Sequence, residues 1–135
     1  MTDTRQMLEA SPKPVPVDLD TLAAAIDACL NCVQTCTTCA DSDLIEEDVG
    51  AMRACIALCH TCAEICDVTA RVLSRPGHWD HEVVRPLLEA CVRTCTTCAE
   101  ECDRHAEHHR HCAVCAEACR KCIQACRAVL AAKRG

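Results

Sequence analysis

Aromatic residues are almost missing from this 135-residue chain: it has no Phe and no Tyr, and Trp79 is its single large ring. Binding of single-stranded nucleic acid by stacking on aromatic platforms is thereby excluded. Excess positive charge is missing too. Fourteen basic residues face 20 acidic ones, which leaves no field to gather phosphate backbones or anionic membranes. No stretch approaches the roughly 20 apolar residues that span a bilayer. The start, Met1-Thr2-Asp3-Thr4-Arg5-Gln6, has neither an apolar signal core nor a twin-arginine pair. These absences predict a soluble, cytoplasmic protein with no nucleic-acid and no membrane partner. Large hydrocarbon side chains are also scarce, since Leu, Ile, Val, Met and Trp together number 30. A chain of this length should fold as one domain, so something other than hydrocarbon must fill its interior.

What is there instead is cysteine, 17 residues of it. Cytosolic thiols are kept reduced, and disulfide frameworks belong mostly to small secreted domains. The count is also odd, so complete internal pairing is impossible. Metal binding becomes the leading reading, with a thiol redox sensor as the alternative.

Residues 1–17 read as an N-terminal arm: a short helix from Thr4 to Ala10, then Pro12, Pro14 and Pro16, whose fixed φ and missing N–H favour extended chain. Residues 18–135 read as one Cys-rich bundle. Asp18 or Asp20 can cap a first long helix ending near Ala40. Ala40 to Ser42 make a tight connection, and Asp43 with Glu46 has the spacing of a capping box for a second helix reaching Leu73. The run Ser74-Arg75-Pro76-Gly77-His78-Trp79 is a break. A third helix follows that either starts after Asp80 or kinks at Pro86. A fourth spans roughly Glu107 to Ala132, ahead of the basic tail Lys133-Arg134-Gly135. Cys32-Val-Gln-Thr-Cys-Thr-Thr-Cys-Ala40 recurs as Cys91-Val-Arg-Thr-Cys-Thr-Thr-Cys-Ala99, and Cys55, Cys59, Cys62 and Cys66 recur 60 residues on at Cys115, Cys119, Cys122 and Cys126. The chain is thus a duplicated helical hairpin, about 18–74 and 80–132. The expected fold is all-α, an antiparallel up-down-up-down four-helix bundle with a Cys-lined core.

Every cysteine falls on an alternating three-and-four spacing: Cys29, Cys32, Cys36 and Cys39; Cys55, Cys59, Cys62 and Cys66; Cys91, Cys95, Cys98 and Cys102; Cys112, Cys115, Cys119, Cys122 and Cys126. At 100° per residue each set forms one narrow stripe, the part of a helix that faces its partners. With alternating directions, Cys39, Cys55, Cys102 and Cys112 share one end of the axis and Cys29, Cys66, Cys91 and Cys126 the other. The fourteen residues from Cys112 to Cys126 span about 20 Å at 1.5 Å each, so the bundle should enclose a column of sulfur. A core built of cysteine merely as a small hydrophobe would be under-packed and open to oxidation, and leucine would serve better.

Soft thiolates select Cu(I), Zn(II) and iron–sulfur clusters. Clusters are usually held by compact cysteine runs in loops, unlike a helical ladder. Zinc prefers closed four-coordinate sites, and about four of them could stack along the axis. About sixteen thiolates around four Zn²⁺ would, however, leave a charge of about −8 in an apolar tube, which is costly. Cu⁺ replaces H⁺ one for one, so the column stays near neutral both empty and full. A zinc or other soft-metal buffer stands as the alternative. No residue has the setting of a general base or nucleophile, so the chain reads as a binding protein and not an enzyme.

The Cys-x-x-Cys and Cys-x-x-x-Cys ladders on four helices, the missing signal sequence and the His-rich start of the last helix together resemble the cytosolic branch of the bacterial copper storage proteins, over roughly residues 20 to 130. The resemblance implies a homotetramer of four-helix bundles, each filled with multiple Cu(I) ions held mainly by thiolates, acting as a reserve or sink for copper.

The two ends of the column differ. Past Cys29, Cys66, Cys91 and Cys126 the inward positions are Leu22, Ala25, Leu73, Val84, Leu87, Leu88, Val129 and Leu130, an apolar plug. Past the other end they are Asp43, Asp48, Met52, His105 and His108, with His111 to one side. If the last helix starts near Glu107, His108 lies on the stripe one turn before Cys112 and His109 points away. Copper is therefore expected to arrive there, captured by His108 with His105 or His111 and Met52. His60, His78 and His81 read as surface or turn residues, and Thr37, Thr38, Thr96 and Thr97 as bonded to backbone carbonyls or water.

Overall fold

The computed structural model describes residues 2–132; the basic tail Lys133-Arg134-Gly135 lies outside the described residues. Four long helices carry the cysteines: α2 (Leu19–Leu44), α3 (Arg53–Leu73), α4 (His81–Asp103) and α5 (Arg110–Ala131), preceded by the short α1 (Thr4–Glu9). Single 3-10 turns, Val49–Met52 and Pro76–His78, lead into α3 and follow it. Helix α2 packs on α3 and α5, and α4 on the same two, which makes the antiparallel square expected of an up-down bundle.

Local chemistry accounts for most of the boundaries. The Asp18 side chain accepts the Thr21 N–H at 3.0 Å and starts α2, and Asp80 does the same for α4 through Glu82 N at 3.0 Å. Helix α4 starts at His81, directly after Asp80, and continues as one helix through Pro86. The exposed Pro86 leaves the Glu82 carbonyl, its i−4 partner, to solvent. Between α3 and α4 the chain is turned by Pro76, and Trp79 folds back to donate its Nε1–H to the Val72 carbonyl at 3.1 Å. The hydroxyls of Thr37, Thr96 and Thr97 bond the carbonyls four residues back, as expected, whereas Thr38 accepts from Gln34 Nε2 at 2.9 Å.

Three expectations are corrected. Helix α2 continues through Ala40–Ser42 to Leu44, so Asp43 is not the start of a capping box. It is fully buried in the last turn of α2, because residue 43 sits four positions after Cys39 on the same inward stripe. The second correction is that α5 begins at Arg110, not at Glu107, and the preceding residues form turns. The third is that Val49–Leu73 does have the length and apolarity of a membrane span. Part of its apolarity comes from Cys55, Cys59, Cys62 and Cys66, all buried on the bundle axis, while Arg53, His60, Glu64, Asp67 and Arg71 form an exposed polar face.

The N-terminal segment is docked. Leu8 is buried, the Thr2 and Thr4 hydroxyls donate to Asp27 Oδ1 at 2.7 and 2.6 Å, and Arg5 pairs with Glu9 and Asp20. At the same end of the bundle Leu22, Ala25, Leu73, Val84, Leu88 and Val129 are all buried and close the column.

Because these helices rest on caps and on a continuous buried face, the reduced, metal-free chain is expected to give a helical circular-dichroism spectrum. Asp18→Ala should lower its unfolding free energy by about 1 kcal/mol, measured by urea denaturation.

Candidate metal column

All seventeen cysteines are buried and free, sixteen of them wholly without exposure and Cys39 1 % exposed. Their sulfurs form one connected ladder. Across α2 and α5 the contacts are Cys29–Cys126 at 3.8 Å, Cys29–Cys122 at 3.6 Å, Cys32–Cys119 at 3.8 Å, Cys36–Cys115 at 3.6 Å and Cys39–Cys112 at 3.9 Å. Across α3 and α4 they are Cys55–Cys102 at 3.8 Å, Cys59–Cys98 at 3.9 Å, Cys62–Cys95 at 3.7 Å and Cys66–Cys91 at 3.9 Å. Cys59–Cys115, Cys62–Cys119 and Cys126–Cys91, at 3.9, 4.0 and 4.0 Å, join the two rows. The end layers are those expected from the helix directions.

These distances suit a metal. A disulfide needs about 2.05 Å between sulfurs. A metal about 2.3 Å from each sulfur sets them about 3.8 Å apart in a tetrahedral site and about 4.0 Å apart in a trigonal one. Quartets of mutually close sulfurs recur along the axis, from Cys29, Cys91, Cys122 and Cys126 through Cys32, Cys36, Cys62 and Cys119 to Cys39, Cys59, Cys102 and Cys115. Several residues belong to more than one quartet, so the column offers overlapping positions rather than separate closed cages.

The thiols also control one another's ionisation. Cys29 is lowered to about 6 by hydrogen bonds from Cys122, Cys126 and Cys66, and Cys115 is lowered by Cys102, Cys119, Cys36 and Cys39. Cys119 is raised by the sulfurs of Cys115, Cys32, Cys36 and Cys62, and Cys59 by Cys102, Cys115, Cys36 and Cys39. A thiolate is tolerated where neighbouring S–H groups point at it, and its presence holds those neighbours neutral. A bound cation is what allows adjacent members to be anionic together.

At the end marked by Cys39, Cys55, Cys102 and Cys112 the ladder changes chemistry. Asp43 Oδ1 accepts from Cys112 Sγ at 3.7 Å, while its Oδ2 is buried with no partner among the described residues. Burial first, then the sulfur of Cys55, pushes the Asp43 carboxyl up to about 8. Met52 is fully buried. The ring of His111 reaches both end sulfurs of its row, Nδ1 lying 3.3 Å from Cys39 Sγ and 3.6 Å from Cys112 Sγ, and its Nε2 lies 3.0 Å from Glu46 Oε2. His105 is turned to the half-exposed side, 2.8 Å from Glu101 Oε2. His108 is exposed in the turn before α5, and the geometric reason for aiming it at the column disappears with the later helix start. His109, expected to point away from the stripe, sits between Glu46 at 2.5 Å and Asp48 at 3.2 Å, with no sulfur contact among the described residues. Its pKa is raised, first by the hydrogen bond to Asp48, against the effect of burial.

Asp43, Glu46 and His109 were not legible as site residues for different reasons. Asp43 was placed inward by its stripe and outward by its capping spacing, and the repeat decides the matter. At the hairpin offset of 59 residues Asp43 stands where the second hairpin has Cys102, and at the offset of 60 Met52 stands where it has Cys112. Glu46 and His109 lie in connections, where no periodicity speaks.

A family profile described as copper storage protein matches residues 18–131. The chain belongs to the copper storage protein family. It is similar to the copper storage protein Ccsp from Streptomyces lividans loaded with 10 copper equivalents, at 45% identity and a TM-score of 0.92 over 95% of this chain and 98% of that one. A second structure, of copper loading to a cytosolic copper storage protein from Streptomyces lividans with five coppers, gives 48% identity and a TM-score of 0.81 over 83% of this chain and 93% of that one. The Cu(I)-bound copper storage protein BsCsp3 gives 31% identity and 0.73 over 82% of this chain and 99% of that one. No curated protein sequence matches the chain. Membership in the copper storage family agrees with a donor set made almost wholly of buried sulfur.

Since the buried thiols are largely protonated when empty, each Cu(I) bound should release about one proton. An anaerobic titration in weak buffer with a pH indicator is expected to show proton release that rises in step with copper until the column is full.

Proposed function

We propose that this chain stores Cu(I) in the cytosol, with all seventeen cysteines as ligands and no catalytic turnover. The contiguous ladder of buried sulfur at 3.6 to 4.0 Å supports this reading most directly. Cu⁺ exchanges for H⁺ without change of charge, so an apolar interior can fill completely. A stack of Zn²⁺ would accumulate negative charge with every closed site. Titration with Cu(I) under anaerobic conditions is expected to continue well past ten equivalents per chain in native mass spectrometry. Saturation at one or two would overturn storage, and a zinc titration in the same run should stop far earlier. The mass of the assembly tests a further part of the reading, that four bundles associate as a homotetramer.

Copper is proposed to cross the end bearing Asp43, Met52 and His111, because the other end is closed by Leu22, Leu73 and Leu88. Of the histidines singled out in the sequence, His111 is the best supported, with Nδ1 against two thiols, and His105 stands at the rim. His108 has support only from its place in the same turn. His111→Ala should slow loading severalfold while leaving final capacity within about one ion, and Leu73→Ser should leave the rate unchanged. The reverse result would move the portal to the plugged end.

A further inference from the structure

A lateral cleft of about 310 Å³ opens between α2 and α5, and Cys39 forms part of its wall. The other lining residues are Gln34, Thr35 and Thr38 from α2 and Arg110, His111 and Val114 from α5. Gln34, Thr38, Arg110 and Val114 are exposed, so the cleft opens to solvent beside Cys39, the last cysteine of the α2 row, itself 1 % exposed. At this sulfur His111 Nδ1 lies 3.3 Å away. The axial face beside it carries Glu46 and Asp48, but His109 and His111 pair with them, and the buried Asp43 is held mostly protonated. The cleft lining includes the exposed Arg110, whose guanidinium makes no ion pair among the described residues. It sits at the first position of α5, where the helix dipole adds further positive potential.

From this juxtaposition we propose that the cleft receives a small anionic thiol carrying Cu(I), and that this donor hands its ion to Cys39. The volume is at the small end of ligand pockets, which suits a carrier of tripeptide size. The unpaired cation and the hydrogen-bonding pair Gln34–Thr38 suit its carboxylates. In the transfer a new bond forms between Cys39 Sγ and copper, and the bond between copper and the donor sulfur breaks. The Cys39 proton leaves on the departing thiol, and copper remains Cu(I). No oxidant or reductant is consumed. An anionic carrier is drawn to the unpaired cation of the cleft, which the axial face, with its acids paired to histidines, does not offer, whereas a neutral or cationic copper complex has no such preference.

The proposal rests on the storage reading, and its test separates the two. Stopped-flow loading of the reduced protein is measured with Cu(I)–glutathione and, separately, with Cu(I) in acetonitrile. Arg110→Glu places an acid at a helix N-terminus, where it is compatible with folding, and Thr38→Trp fills the cleft from an exposed position. Each should slow transfer from Cu(I)–glutathione at least tenfold, leaving the acetonitrile rate and the final capacity unchanged. Arg110→Lys should retain most of the wild-type rate, and raising ionic strength should slow the wild type with the glutathione donor only. Equal slowing with both donors, or no slowing with either, would overturn the cleft as a donor site. A wild-type capacity of one or two ions would instead overturn storage.

Discussion

The structure is governed by the mutual electrostatics of seventeen thiols sealed inside four helices. Neighbouring sulfurs at 3.6 to 4.0 Å in an interior of low polarity cannot all be anionic unless cations lie between them. The empty protein solves this by protonation, with S–H groups pointed at the few sulfurs that are easily ionised, such as Cys29 and Cys115. A monovalent soft cation solves it equally well. The exchange of one for the other leaves the charge of the column unchanged and the helices with no new field to answer.

That constraint explains where the duplicated hairpin departs from its own symmetry. A strict repeat would carry cysteine at residues 43 and 52, the counterparts of Cys102 and Cys112. Asp43 and Met52 stand there instead, both at the end that also gathers His105, His109, His111 and Glu46. Replacing a thiol by a carboxylate introduces an acceptor that burial holds mostly protonated. Replacing another by a thioether keeps a soft donor that has no proton to lose. The last layer thus offers copper fewer thiolates than the layers behind it, which suits the entrance proposed above.

Much of this was legible in the sequence. The alternating three-and-four spacing of cysteine fixed which face of each helix is inward, because no other face could bury so many soft side chains, and helix direction then paired Cys39 with Cys112 and Cys66 with Cys91. The break before α4 was legible for the same kind of reason, a local chemical signal with one outcome, and of the two caps the sequence offered, Asp18 and Asp20, the structure uses Asp18. The errors fell where two local signals competed. Asp43 had both cap spacing and stripe register, and burial of the stripe won because α2 could gain another turn of packing against α3. The run His105-Ala-Glu-His-His-Arg-His111 has no apolar period to locate the helix start, so a shift of one turn removed the reason for aiming His108 at the column.

The sulfur spacing also bears on why cysteine, a poor space-filler, is used so densely. Leucine in these positions would bury more hydrocarbon and pack better. The thiol ladder forgoes that packing, and the stability of the empty bundle has to come from elsewhere: the apolar plug of Leu22, Leu73, Val84 and Leu88, the alanines such as Ala40, Ala70 and Ala116 that flank the stripes, and the docked segment around Leu8. These groups sit beside or beyond the column, not within it. Sulfurs already placed at distances a metal needs can take up cargo with small side-chain rotations, while the frame that positions them is held by contacts that loading does not touch.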